Sequence, residues 1–236
     1  MKIIVLSINQ YKEKDAIITA ISQSETITFL ARGIKDPKSK NAALNNPLTV
    51  ADIELMDGDF KYPVLKASKE LFIPMKLEMD SSYLGTLLLM NEMMVHLFSD
   101  DEKHEMFSYL EEGVIGLKKT NDWLMTLLVF MAQAIRLGGF ELEVNRCVIC
   151  GQKNRIVAFS FIDGGFICEN CVSEETERDL TKEQMMLLRA IFNSRDYHLL
   201  GSAYNKEDAL ALLHKCIDFM QEAFGYRLKN TKLILD

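Results

Sequence analysis

Four of the five cysteines fall into two pairs, Cys147-Val-Ile-Cys150 and Cys168-Glu-Asn-Cys171, separated by 17 residues. Two C-x-x-C pairs at this distance have the spacing of a four-thiolate zinc site, in which each pair supplies one edge of a tetrahedron. Two disulfides, a thioredoxin-like redox pair or four unrelated core cysteines are the competing readings, and a single C-x-x-C would leave them level. A repeated pair favours one structural Zn²⁺ per chain held by Cys147, Cys150, Cys168 and Cys171. Four protein sulfurs leave no position for water or substrate, so such a metal would brace structure and perform no chemistry. Arg146, Lys153 and Arg155 lie close enough in sequence to offset the excess negative charge of the thiolates. Gly164-Gly165 offers the tight turn that presents the second pair.

The second stretch with chemical potential is Arg32-Gly33-Ile34-Lys35-Asp36-Pro37-Lys38-Ser39-Lys40, four cations against one carboxylate. Gly33, Pro37 and Ser39 make it a loop, and Asn45-Asn46-Pro47 keep the chain irregular beyond it. Cations on a loop can follow a phosphate backbone, and a serine hydroxyl can donate to a phosphate oxygen. The plainer reading is a solvated charged loop, which composition alone favours.

Other residues offer less. Met90, Met93, Met94, Met185 and Met186 read as fillers of core gaps, with an adaptable peptide groove as the minority reading. Cys216 reads as a buried apolar residue in a helix. His96, His104, His198 and His214 show neither nucleophile pairing nor metal spacing. No Walker sequence, dinucleotide fingerprint or nucleophile elbow occurs, which lowers the odds of an enzyme.

These residues need elements to position them. Apolar, β-branched runs at 3–8, 16–22, 26–30, 50–56 and 64–73 read as five strands. They are separated by turn residues such as Asn9-Gln10, Ser24-Glu25, Asp57-Gly58-Asp59 and Tyr62-Pro63. Five strands suit a small closed barrel of the OB type better than a sandwich. From Asp80 the period becomes helical, with Leu84, Leu87, Leu88, Met94 and Leu97 on one stripe. Ser99 with Glu102 predicts a capping box for a helix carrying Met106, Phe107 and Leu110. Thr120 or Asn121 would cap a helix from Trp123 to Ile135 that ends at Gly138-Gly139. Thr181 with Gln184, and Asn205, would open two further helices, the last stopping at Gly225. The fold expected is α+β: an OB-fold barrel domain at 1–79, then a helical domain at 80–236 with a zinc-finger insert at 147–171.

The net charge of −7 argues against a protein basic all over. Residues 1–80 carry 11 cations and 11 carboxylates, so the deficit lies wholly in the later part. An acidic average leaves nucleic-acid binding open where cations cluster locally. Nothing reads as a signal peptide, and Leu87-Leu88-Leu89-Met90 is interrupted by Asn91 and Glu92, so no membrane is expected. With cysteines spaced for metal, the cytoplasm is the expected compartment.

Taken in order, three groups of residues resemble the RecO family of bacterial recombination mediators. Val5-Leu6-Ser7 with Tyr11-Lys12-Glu13-Lys14-Asp15 is similar to its opening strand and turn. Leu30-Ala31-Arg32-Gly33, Lys38-Ser39-Lys40 and Leu44 to Leu48 are similar to its basic loop and the Leu-x-Pro segment after it. Leu137-Gly138-Gly139-Phe140, Cys147-x-x-Cys150-Gly151 and Gly164-Gly165-x-x-Cys168-x-x-Cys171 are similar to its helix-to-zinc region. Arg32 stands where the family has lysine, and Lys40 where it has arginine; both keep charge, but Lys40 lacks bidentate phosphate geometry.

The resemblance implies a non-enzymatic, nucleoid-associated DNA repair and recombination factor. Such a factor binds single- and double-stranded DNA and anneals complementary strands. With RecR it helps to load RecA onto strands coated by single-stranded DNA-binding protein. DNA contacts would fall on Arg32, Lys35, Lys38, Ser39 and Lys40. The alternative is mainly an adaptor, whose helical domain recruits RecR or single-stranded DNA-binding protein and binds little DNA itself. A zinc hydrolase is a third reading and needs an open coordination position.

Overall fold

The structure is a computed structural model that describes residues 1–56, 61–176, 178–194 and 196–235, without the side chain of Leu235. The turn expected at Asp57-Gly58-Asp59 lies outside the described residues.

Five strands, β1 (Lys2–Gln10), β2 (Ala16–Ile21), β3 (Thr26–Ala31), β4 (Val50–Met56) and β5 (Val64–Phe72), form the expected closed barrel. Their order around it is β1-β2-β3-β5-β4, closed by the antiparallel pairing of Ile4 with Val50, while β3 meets β5 in parallel at Leu30 and Val64. The closure between β3 and β5 is narrow, because these two strands pair at that one position. Ile3, Val5, Ile18, Phe29, Ile53 and Leu65 fill the interior. Two residues from the long β3–β4 connection, Ile34 and Leu44, join them, both essentially inaccessible. That connection contains one 3-10 turn, Ala42–Asn45, in an otherwise irregular path.

The second part is helical: α1 (Ser81–His96), α2 (Asp100–Lys103), α3 (Phe107–Thr120), α4 (Trp123–Leu137), α5 (Lys182–Asn193), α6 (Lys206–Phe224) and α7 (Lys232–Leu235). Every residue of α4 from Leu124 to Ile135 is buried, so this helix is the axis around which the others pack. The larger core also takes in Ile4, Leu6, Ile21 and Val50 from the outward faces of barrel strands, with Leu48 from the connection before β4. A linker runs between barrel and helices, where Tyr83 donates to the Pro74 carbonyl at 2.8 Å and Lys76 to Asn121 Oδ1 at 2.6 Å. No helix among the described residues is long and apolar enough to cross a membrane.

Two helix starts differ from expectation. The Ser99–Glu102 capping box forms, but it opens the short α2, and the helix carrying Phe107 begins afresh. Between them the bonds Glu105 N–Glu102 O, Met106 N–Lys103 O and Phe107 N–His104 O span three residues, which breaks the α ladder. The cap of α4 is Asp122, whose carboxylate accepts from Met125 N at 3.3 Å. Thr120 is the last residue of α3, and Asn121 ends that helix in left-handed backbone at φ 57°. Thr181 and Asn205 cap α5 and α6 as expected, and α6 stops at Gly225 with φ 62°. Met90, Met93, Met94 and Met185 are buried, whereas Met186 is 66% exposed and fills no core gap.

A three-stranded sheet of β6 (Glu143–Cys147), β8 (Gly165–Cys168) and β7 (Ile156–Ser160), in the order β6-β8-β7, carries the cysteines. Phe159 and Phe166 from this sheet are buried in the helical core and meet edge to face, 5.9 Å apart.

Candidate functional site

The four paired cysteines converge. Cys147 ends β6 and Cys168 ends β8, adjacent parallel strands in which Cys147 pairs with Phe166. The approach of β6 to β8 requires Gly165: an added Cβ there would lie 2.6 Å from the Glu143 carbonyl oxygen. After Cys147 the chain turns back on itself, with Gly151 N donating to Cys147 O at 2.8 Å and Gly151 at φ 76°. Cys147 N then donates to Gln152 O at 2.7 Å. The second pair turns in the same manner, Cys171 N donating to Cys168 O at 3.0 Å. Gly164, at φ 76°, makes the turn from β7 into β8 that the sequence assigned to the glycine pair.

All four sulfurs lie within 4.8 Å of one another, and Cys150 Sγ and Cys168 Sγ are 3.6 Å apart. A tetrahedron with metal–sulfur bonds of about 2.3 Å has sulfur–sulfur edges of about 3.8 Å, so the cluster is metal-sized. Cys147 and Cys168 are buried, Cys171 is half-buried and Cys150 faces solvent. Ionisation is uneven within the cluster. Burial opposes charge on Cys147, yet the backbone N–H groups of Cys150, Cys168 and Ile149 aim at its sulfur and bring its pKa to about 6. Cys171 is pushed up to about 12 by its hydrogen bond to Cys150, with burial and the neighbouring Cys168 and Cys147 adding to it. Backbone donors that favour one thiolate, among neighbouring sulfurs that oppose a second, leave a set of ligands that a divalent metal would complete. Four protein sulfurs would fill its coordination.

Two of the three cations expected to offset this cluster are engaged elsewhere. Arg146 Nε donates to Glu143 Oε2 at 2.7 Å, and Arg155 pairs with Glu169. Lys153 is exposed. The Glu143 carboxylate, though burial opposes its charge, also receives the backbone N–H groups of Asn145 and Arg146 and lies below its usual range. The module therefore neutralises its arginines with its own acids.

The basic connection is built differently. Arg32 is exposed at the exit of β3, and Gly33 follows in left-handed backbone at φ 64°, its N–H donating to Asp15 Oδ1 at 2.8 Å. Ile34 then plunges into the barrel, so the residues on either side are fixed to the wall. Lys38 and Lys40 are exposed and Lys35 is half-buried, and none of the three forms an ion pair among the described residues. Asp36 lies below its usual range because the Lys38 backbone N–H donates to it, with the Lys14 ammonium 3.1 Å away as a further cause. The half-buried Ser39 accepts from Asn41 N at 3.2 Å through its Oγ. Asn41 in turn accepts from Ser68 Oγ of β5 at 2.7 Å.

Sequence reasoning missed that the β1–β2 turn docks on this connection. Lys35 N donates to Lys14 O at 3.2 Å, Asp15 holds Gly33, and Lys14 holds Asp36. Lys12 and Lys14 thus belong to the same basic surface as Lys35, Lys38 and Lys40. Their alternation in Lys12-Glu13-Lys14 carried a weak signal, masked by the adjoining acids.

Comparison with known proteins gives one answer over both halves. The family profile described as "Recombination protein O C terminal" matches residues 79–224, and that described as "Recombination protein O N terminal" matches residues 1–65. A Bacillus subtilis (strain 168) protein named "DNA repair protein RecO" is 27% identical over 238 residues, covering 99% of this chain and 92% of that one. Proteins of the same name from Bacillus pumilus (strain SAFR-032) and Bacillus mycoides (strain KBAB4) are 25% and 23% identical over 236 and 235 residues. Each covers 98% of this chain, with 91% and 94% of their own lengths. An OB-like barrel followed by helices, the clustered cysteine quartet and matches to both family profiles lead to one assignment: this chain belongs to the RecO family, whose members are named for DNA repair and recombination.

Proposed function

We propose that the chain is a mediator of DNA repair and homologous recombination that works by binding, without catalysis. It binds single- and double-stranded DNA and anneals complementary strands. With RecR it helps to load RecA onto strands coated by single-stranded DNA-binding protein. Arg32, Lys35, Lys38, Ser39 and Lys40 track the phosphates. The observation that carries this reading is the anchored basic connection: Ile34 and Leu44 sit in the barrel core while lysines project between them. Cations on a pre-ordered surface lose little conformational entropy on binding, and their electrostatic attraction is nonspecific in sequence, as an annealing factor requires.

In this reading residues 1–79 are the DNA-binding unit and residues 80–236 the helical unit. The quartet Cys147, Cys150, Cys168 and Cys171 holds one structural Zn²⁺ per chain. The compartment is the cytoplasm, at the nucleoid. If Arg32, Lys35, Lys38 and Lys40 all meet phosphates, the logarithm of single-strand affinity falls against the logarithm of salt with a slope of about −3. Raising salt from 50 to 200 mM then weakens binding roughly fifty-fold. Replacing all four with alanine should flatten the slope; a slope that stays steep would defeat the assignment.

The adaptor reading draws support from the exposed apolar residues Ile162 and Met186 on the second part of the chain, 79% and 66% exposed. Pull-down of RecR or single-stranded DNA-binding protein with DNA absent, set beside direct DNA binding, separates the two.

A further inference from the structure

We propose that one rim of the barrel holds single-stranded DNA by stacking bases on Tyr11 and Tyr62, beyond the phosphate contacts of the basic connection. This rests on the DNA-binding reading above and adds to it the means of preferring unpaired strands.

The strand registers bring the two tyrosines to one end of the barrel. Ala16, at the start of β2, pairs with Ala31, at the end of β3, and Leu30 pairs with Val64, at the start of β5. The β1–β2 turn, the exit of β3 and the entry to β5 therefore share a rim. Tyr11 opens the turn, where its N–H and that of Lys12 donate to Asp15 O at 3.1 and 3.4 Å. Tyr62 precedes Pro63, whose carbonyl accepts from Leu30 N at 2.8 Å and ties the entry of β5 to β3. Arg32 leaves β3 two residues beyond that bond.

Each ring has its own lysine. Lys12 Nζ lies 5.5 Å from the centroid of Tyr11, and Lys61 Nζ 5.3 Å from that of Tyr62. Tyr11 is 52% exposed, a large apolar area to leave in water beside a tight turn. A cation over a ring favours one attitude of that ring by a modest attraction. It also sets a phosphate partner one side-chain length from a base platform. Strand-binding barrels combine these two features, a cationic track for the backbone and aromatic faces for bases. Bases inside a duplex are stacked on one another and have no free face to offer.

The test measures binding of the full chain to three labelled probes by fluorescence anisotropy. They are an oligothymidylate of about 20 nucleotides, longer than one such barrel covers, an abasic strand of equal length, and the corresponding duplex. Wild type should prefer the base-bearing strand to the abasic one. Each tyrosine contributes about fivefold or more, so Tyr11→Ala with Tyr62→Ala should lose about 25-fold on oligothymidylate. Loss on the abasic strand and the duplex should stay below about twofold, because no stacking is removed there. Retained duplex binding also reports an intact barrel, and Tyr11→Phe with Tyr62→Phe should restore wild-type affinity. Equal affinity of wild type for the two single strands, or equal loss on both in the alanine variant, would overturn stacking and leave phosphate tracking standing. A wild-type chain that binds none of the probes would overturn both.

Discussion

The barrel connection follows an irregular path and the cysteine module is built on a three-stranded sheet; both carry cations, and they do opposite things with them. In the module, Arg146 and Arg155 meet Glu143 and Glu169 a short distance away, and the field cancels locally. In the connection, one carboxylate, Asp36, meets Lys14 from the neighbouring turn, while Lys35, Lys38 and Lys40 project without ion pairs among the described residues. The support differs too. Four sulfurs gathered within 4.8 Å of one another mark the module, whereas two aliphatic side chains buried in the barrel moor the connection. The partners of those cations separate the two stretches as much as their spacing does.

Removing the metal should break the comparison most severely. Thiolate ligation in small zinc modules contributes on the order of 10 kcal/mol to folding. Chelation, or Cys147→Ser, should therefore expose residues 147–171 to protease while the barrel resists. Metal analysis of the purified chain should find about one zinc per chain. Undiminished protection after complete metal loss would deny the metal its structural role.

Ile34→Ala should come next. Truncating a buried aliphatic side chain costs about 2–5 kcal/mol, visible as a lower melting temperature. It should also weaken DNA binding although every charge remains, because the lysines lose their mooring. A destabilised barrel with unchanged affinity would show that anchoring is irrelevant to binding.

Arg146→Ala with Arg155→Ala sharpens the electrostatic half of the contrast. These arginines are already neutralised, so the salt slope of DNA binding should change by less than about 1. A slope flattened as much as by loss of the barrel cations would place DNA on the module.

The smallest effect concerns Asp36. Its pKa is depressed in the folded chain, so its contribution to order in the connection is present above the ordinary carboxylate value of 3.8. That contribution is lost as pH falls through the depressed value. The Lys38 amide resonance should follow this titration in acid. In Asp36→Asn it should not titrate, and at neutral pH the salt slope should steepen by about 0.7 as one anion leaves the surface.

Much of this was legible in the chain because the governing signals are local. Strands β2 to β5 announce themselves by β-branched residues between turn residues, and Thr181 and Asn205 by oxygen acceptors placed before helical runs. The cysteine quartet was legible because ligand spacing is a short-range constraint. The errors share a cause. Asp122 wins the cap of α4 partly because its carboxylate also receives Gly201 N at 3.0 Å and Tyr204 Oη at 2.6 Å, partners about eighty residues away. The docking of the β1–β2 turn on the basic connection, and the exposure of Met186, are likewise decided by packing between distant segments. No local pattern encodes them.

The first strand carries a consequence of its own. Ile3 and Val5 point into the barrel while Ile4 and Leu6 point into the helical core, all four at most 3% exposed. In most strands a one-residue slip is forbidden because it would turn an apolar face outward. Here a slip would only exchange one aliphatic pair for another, so burial is nearly silent about alignment. The alignment must be set at the ends and along the ladders. A shift one way would drag Lys2, paired with Glu111, inward, and a shift the other way would drag Ser7 inward. Val5 is gripped on its backbone by Thr49 O at 3.0 Å and Leu48 N at 2.7 Å. Polar stops and a two-sided backbone grip, with little help from hydrophobic patterning, thus set the frame in which both halves of the molecule are assembled.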